Sequence, residues 1–181
     1  MDASQHADRF PAARRAMKRI LGIDPGFRHT GYSVIESNGR AHRHIAGGVI
    51  NISDLPPHER LGAIFDGVLR VIETHKPRET AVEEVFLAKN AAVALKLGQA
   101  RGAAICAAVK AGLPVHEYSA KFIKKAVTGG GAADKRQVQY MVCRLLGIAE
   151  RERSDESDAL AAALCHAFVS HVRRPAAEAV Q

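Results

Sequence analysis

Two short apolar runs that each end on a carboxylate constrain this chain more than any other feature. Arg19-Ile20-Leu21-Gly22-Ile23-Asp24 and Thr80-Ala81-Val82-Glu83 have the length and side chains of buried strands. Such strands belong to a sheet covered on both faces, and functional groups in those folds gather at the carboxyl ends of the strands. A third acidic element follows. Asp155 and Asp158 stand just before the apolar stretch Ala159–Leu164, which reads as a helix with both carboxylates on one face of its first turn. If the three elements are neighbours, four carboxylates meet in one cleft, and they repel one another unless cations sit among them. A ligand set made only of hard oxygens suits Mg²⁺ or Mn²⁺, and substrate phosphates often complete such sites. The chemistry this points to is two-metal phosphodiester hydrolysis. Each acid also has a plainer reading. Asp24 before Pro25-Gly26 is a turn residue, and Asp155 and Asp158 are partners of a helix dipole. The joint pattern favours the cleft.

The rest of the chain supplies the sheet. Gly31–Glu36 and His42–Asn51 flank the hairpin signal Ser37-Asn38-Gly39. Ser53-Asp54-Leu55-Pro56-Pro57 reads as a helix cap, with a helix running to about His75 before Pro77. Thr80–Glu83 is the fourth strand and Val115–Tyr118 the fifth. Helices are expected over Asn90–Ala111, Ala120–Val127, Asp134–Leu146 and Asp155–Val172. A three-stranded antiparallel meander followed by alternating helices and strands implies an α/β fold, with a five-stranded mixed sheet and helices on both faces. At 181 residues the chain is expected to form one domain, 17–173, between a disordered leader, 1–16, and a flexible tail, 174–181. Met17 is a second candidate start.

The formal net charge of +7 favours a polyanionic partner. Its distribution says more. Between Lys121 and Arg144 the only acidic residue is Asp134. Lys121, Lys124 and Lys125 share a helical face, the Gly129-Gly130-Gly131 loop follows, and Lys135 and Arg136 open the next helix. This is either a solvated face or a track for a phosphate backbone. Glu83 and Glu84 point to opposite sides of their strand, and parity does not choose between them. Glu156 is rotated away from Asp155 and Asp158.

The helix over Asn90–Ala111 is apolar around most of its circumference, with Ala104 assigned to its outer side. It is therefore either a two-sided core helix or a homodimer interface. No apolar run is expected to span a bilayer, and no membrane partner is expected. Cys106, Cys143 and Cys165 lack zinc spacing and read as small core residues in a reducing compartment. His42 and His44 read as an exposed strand face.

Three blocks of residues resemble a known family. Leu21-Gly22-Ile23-Asp24-Pro25-Gly26 with Thr30-Gly31-Tyr32 is similar to the opening motif of RuvC-type Holliday junction resolvases. Val82-Glu83-Glu84-Val85-Phe86 with Ala88-Lys89-Asn90 and Ala94–Gly102 resembles the middle block. Ser154-Asp155-Glu156-Ser157-Asp158-Ala159-Leu160 resembles the closing acidic helix. The resemblance runs from about Arg19 to Val172 and implies an RNase H-like fold. It implies a homodimer that nicks two strands of a four-way DNA junction symmetrically with Mg²⁺ or Mn²⁺, two ions per subunit. It implies catalytic and metal-binding roles for Asp24, Glu83, Asp155 and Asp158, and so selects Glu83 over Glu84. It implies DNA contact by Lys124 and Lys135, and junction wedging or stacking by Phe86. Lys121 and Arg136 join them as DNA-binding candidates from the basic track. A branch-migration helicase partner and a cytoplasmic, nucleoid-associated location in a bacterium are further implications. Two other readings stay open: an RNase H-like nuclease for structured RNA, and a fragment of an actin-like phosphate-binding ATPase. The latter would need a second related domain.

Overall fold

The computed structural model describes residues 16–84, 90–149 and 154–178. Five strands, β1 (Lys18–Asp24), β2 (His29–Ser37), β3 (His42–Asn51), β4 (Glu79–Glu83) and β5 (Val115–Tyr118), form one sheet in the order β3-β2-β1-β4-β5. The β1–β2–β3 meander is antiparallel, whereas β4 joins β1, and β5 joins β4, in parallel. The helices are α1 (Pro57–His75), α2 (Ala91–Lys110), α3 (Ala120–Thr128), α4 (Lys135–Leu146) and α5 (Ser154–Glu178).

Strand parity divides the core in two. Leu21, Ile23 and Val82 pack with α1 and α2 on one face. Ile20, Ala81 and α3, α4 and α5 pack on the other. The helix α5 lies very close to the sheet because the strands give it room. A Cβ at Gly22 would run into the Ala159 carbonyl, one at Gly31 into the Asp155 carbonyl, and one at Gly47 into the Glu156 side chain. Ala159 and Ala163, both fully buried, supply the small side chains on the helix. This glycine strip across β1, β2 and β3 brings the acidic first turn of α5 down onto the end of β1.

Several local expectations need correction. The helix α1 starts within the expected segment Ser53–Pro57, but without a side-chain cap. Pro56 is its N-cap without a side-chain hydrogen bond, and Pro57 fills the first helical position. The Ser53 carbonyl instead accepts a hydrogen bond from Arg60. Ala104 does not lie on the outer side of α2. It is fully buried with Ala100, Ala107 and Ala108, because four alanines let the helix approach α1 and the sheet. The outer face, opposite them, carries Leu95, Gly98, Gly102, Cys106 and Val109, with Leu95 70% exposed. Cys106 is thus an exposed cysteine, while Cys143 and Cys165 are buried. Contrary to the expectation about bilayers, α2 has 20 residues and a mean hydropathy of 1.3, enough by length and composition to span one. Its alanine face packs in the protein core, and 22% of the apolar window is buried. His42 and His44 are half-buried beneath α5: His42 meets Phe168 edge-on and His44 lies 3.6 Å from Glu156.

Candidate active site

Asp24 and Glu83 end adjacent parallel strands, with Ile23 and Val82 in register just before them. Both point to the α5 face, where the closely seated helix presents Asp155 and Asp158. The four carboxylates feel one another. Asp24 is pushed up to about 7, first by burial and then by the charges of Asp158, Glu83 and Asp155. Glu83 is also raised, by burial and by Asp158. Lys135 donates a hydrogen bond to Asp158 at 2.7 Å. Burial alone would lower the ammonium, but that bond and the neighbouring acids raise it instead.

Two chambers flank the cluster. The smaller, about 240 Å³, places Glu83 and Asp158 with Lys124 and Lys135. The larger, about 620 Å³, opens from Asp24 and Asp155 toward Phe27, Arg28 and Lys96. Local structure holds both in place. Ser119 caps α3, which carries Lys124, by accepting from the Phe122 amide. Asp134 and Gln137 form a reciprocal capping box at the start of α4, next to Lys135. Asn90 caps α2 with bonds from the Ala92 and Val93 amides. Lys121 and Arg136 are exposed on α3 and α4, outside the residues lining either chamber. Phe86 lies outside the described residues. Glu84 follows the end of β4, and its amide donates to the Tyr118 carbonyl. Glu156 is buried against β3, away from the cluster.

The residues of the larger chamber, above all Phe27, Arg28 and Lys96, escaped the sequence reading. Phe27 and Arg28 lie between the two parts of the opening motif and Lys96 lies within the middle block, but none of the three was given a role. A second polar group was also missed. Glu79, His116 and His166 bring their ligand-type atoms within 4.8 Å of one another. However, His166 Nδ1 is 2.7 Å from the Tyr118 hydroxyl and its Nε2 is 2.6 Å from Glu79. Lys18 also donates to Glu79, at 2.5 Å. The His116 and His166 rings are stacked with centroids 4.2 Å apart and planes 22° from parallel. In-plane lone pairs of stacked rings run side by side and do not converge on one ion. This is a hydrogen-bonded strut between β4, β5 and α5.

The donor set at the strand ends is all carboxylate, partly buried, and self-repelling, which fits hard divalent cations. The sheet order, the helix layers and this acidic strand-end cluster define an RNase H-like nuclease architecture. The model of one family, described as "Crossover junction endodeoxyribonuclease RuvC", matches residues 20–166. A crossover junction endodeoxyribonuclease RuvC of Ectopseudomonas mendocina is 56% identical over 151 residues, covering 83% of this chain and 87% of the relative. A solved structure described as Thermus thermophilus RuvC in complex with Holliday junction substrate superposes with a TM-score of 0.81. It is 37% identical and covers 86% of this chain and 96% of that one. The yeast mitochondrial Holliday junction resolvase, at 13% identity and a TM-score of 0.52, shares the fold. The chain belongs to the RuvC family of crossover junction endodeoxyribonucleases, which are metal-dependent hydrolases.

Proposed function

We propose that this protein resolves four-way DNA junctions by paired, symmetric nicks in recombination and repair, and that Asp24, Glu83, Asp155 and Asp158 are its metal-binding catalytic residues. The observation that carries this reading is the convergence of four carboxylates on a pair of chambers walled by lysines, with Asp24 held at about 7 by burial and mutual repulsion. Mg²⁺ or Mn²⁺, two ions per subunit, would activate water and stabilise the leaving oxygen when bound. The residues of the chain do the rest. Asp24, Glu83, Asp155 and Asp158 would hold those ions at the strand ends, where the reacting phosphate is placed. Lys124 and Lys135 bind phosphate oxygens beside Glu83 and Asp158, and Lys135 exchanges its bond to Asp158 for one to DNA. Lys121 and Arg136 extend the basic surface along α3 and α4, and Phe86 stacks at the junction. The nuclease unit is residues 17–173. A branch-migration helicase is its companion in the cytoplasm near the nucleoid, as the family resemblance implies.

A homodimer would present two such sites to the two-fold symmetric junction. The outer face of α2 suits that contact, since Leu95 and Val109 are exposed beside Gly98 and Gly102, where an added Cβ would meet nothing. Leu95→Glu should give a monomer that keeps its fold and loses paired incision. Sedimentation velocity beside a plasmid-linked incision assay checks this, and a dimeric variant would remove α2 from the interface. The function itself is tested by incubating the protein and Mg²⁺ with a synthetic four-way junction, matched duplex, single strand and structured RNA. Symmetric nicking of the junction alone is expected. Preferential cleavage of the RNA would favour an RNA-directed nuclease of the same fold.

A further inference from the structure

The larger chamber has a composition that the carboxylate chemistry does not use. It is lined by Asp24 and Asp155 together with Phe27, Arg28 and Lys96, in a volume of about 620 Å³. A nucleotide-sized space lined by two carboxylates, two cations and an aromatic ring offers the groups a DNA strand would meet. The scissile phosphate belongs at the acids, the next phosphate at the cations, and the base or sugar between them against an aromatic ring.

Phe27 is built into position. Its ring is half-buried and packs against the α1/α2 core from the turn between β1 and β2. The turn is rigid. The buried Thr30 donates its hydroxyl to the Gly26 carbonyl at 2.9 Å, and a Cβ on Gly26 would collide with the His29 carbonyl. Arg60 clamps the turn from α1, donating to the Leu55, Ser53 and Phe27 carbonyls at 2.8, 2.9 and 3.4 Å. Its guanidinium lies 5.2 Å from the Phe27 ring centroid. Arg60 thus spends its donors on the backbone and acts as a fixture. The Lys96 ammonium lies 5.9 Å from the same centroid, and neither Lys96 nor Arg28 is in an ion pair among the described residues. Lys96 and Arg28 are therefore the cations that remain to meet phosphate.

We infer that Phe27, Lys96 and Arg28 form a nucleotide subsite that holds the residue flanking the scissile phosphate, on the side opposite Lys124 and Lys135. The strand enters past one lysine pair, crosses the carboxylates, and leaves across the Phe27 ring, where an unpaired base takes the place over the ring that Lys96 gives up as it turns to the phosphate. Phe27 and its two cations are positioning residues for the strand being cut. The inference rests on the junction-resolving function proposed above and adds the path of the strand and a base-contacting residue to it.

The test uses the full chain with Ca²⁺ for binding and Mg²⁺ for turnover. Four junctions are needed: the intact one and three that lack the base 5′, 3′ or on both sides of the scissile phosphate. Wild type is expected to lose about tenfold in affinity for one of the two single abasic junctions, as loss of one stacked base implies. Phe27→Leu keeps the apolar packing and removes the aromatic face. It should lose a similar factor on the intact junction and nothing further on the sensitive abasic one, whereas Phe27→Tyr should behave as wild type. Lys96→Ala should flatten the salt dependence by up to ~0.9 in log–log slope. Independent, multiplying losses for Phe27→Leu and base removal would overturn the subsite, as would wild-type affinity in Phe27→Leu. Those results on a protein that still cuts the intact junction leave the function standing and reject the subsite alone. A wild type that neither binds nor cuts the intact junction rejects both.

Discussion

Glu79 and Glu83 stand on the same face of the same strand, two pleat repeats apart, and the fold treats them in opposite ways. Glu79 accepts from His166 and Lys18, and those bonds, His166 first, hold its carboxyl down to about 2 against the effect of burial. Glu83 is raised by burial and by Asp158, and the nearest cations, Lys124 and Lys135, only partly offset this. The first carboxylate folds together with its donors and its electrostatics are complete. The second folds into a group of like charges and is complete only when cations arrive. Two residues of one type on one short strand thus separate a strut from a site. Perturbation by itself identifies neither; the direction of the shift and its cause do.

The largest expected effect breaks this contrast by removing one charge at each end. Glu83→Gln should reduce junction cleavage on the order of 10²–10³-fold or more, with junction binding and thermal stability retained. Glu79→Gln should cleave like wild type at permissive temperature and lose about 1–3 kcal/mol of stability, because Lys18 and His166 lose a charged acceptor. Thermal melts and nicking assays on the pair decide it. The reverse pattern would exchange the two assignments.

The two ends should also carry opposite pH signatures in metal-free protein. Glu79 is lowered from 4.5 to about 2, so its contribution is present above the unfolded value and is lost as pH falls toward 2. Asp24 is raised from 3.8 to about 7, so its contribution is fully present below 3.8 and is lost as pH rises through 7. Asp24→Asn should therefore raise the melting temperature of the metal-free protein by several degrees at pH 8 and by little at pH 4. Melting temperatures across that range test the sign. An equal effect at both values would mean that Asp24 is not held among its neighbours' charges.

The contrast explains what the sequence could and could not convey. The strands β3 and β5 begin and end where hydrophobic pattern and turn residues put them, and the acids stand at the strand ends where the pattern located them. Those features are local. The strut was invisible because Glu79, His116 and His166 lie on three elements with no shared spacing. The close seating of α5 depends on Gly22, Gly31 and Gly47, which look like weak strand residues until a helix is placed over them. Ala104 was misassigned because a helix apolar on all sides has no period to tell its core face from its free face. The start of α1 was legible for a different reason: Pro57 has the fixed backbone angle that suits a first helical position.

A smaller effect concerns the cations beside Glu83. Lys124→Ala and Lys135→Ala should each flatten the dependence of log affinity on log salt for a junction by up to ~0.9, with Ca²⁺ present to block turnover. Lys18→Ala, at the Glu79 end, should leave that slope unchanged. Equal slopes in all three variants would return Lys124 and Lys135 to a solvated surface.

The most direct measurement is Mn²⁺ binding, by calorimetry or by the loss of its free-ion resonance, to wild type, Glu79→Gln and Glu83→Gln at pH 7.5. Wild type and Glu79→Gln should bind with the same stoichiometry and affinity, and Glu83→Gln should lose at least one ion or most of the affinity. Binding that survives Glu83→Gln and disappears with Glu79→Gln would place the metal at the histidine strut and contradict the account.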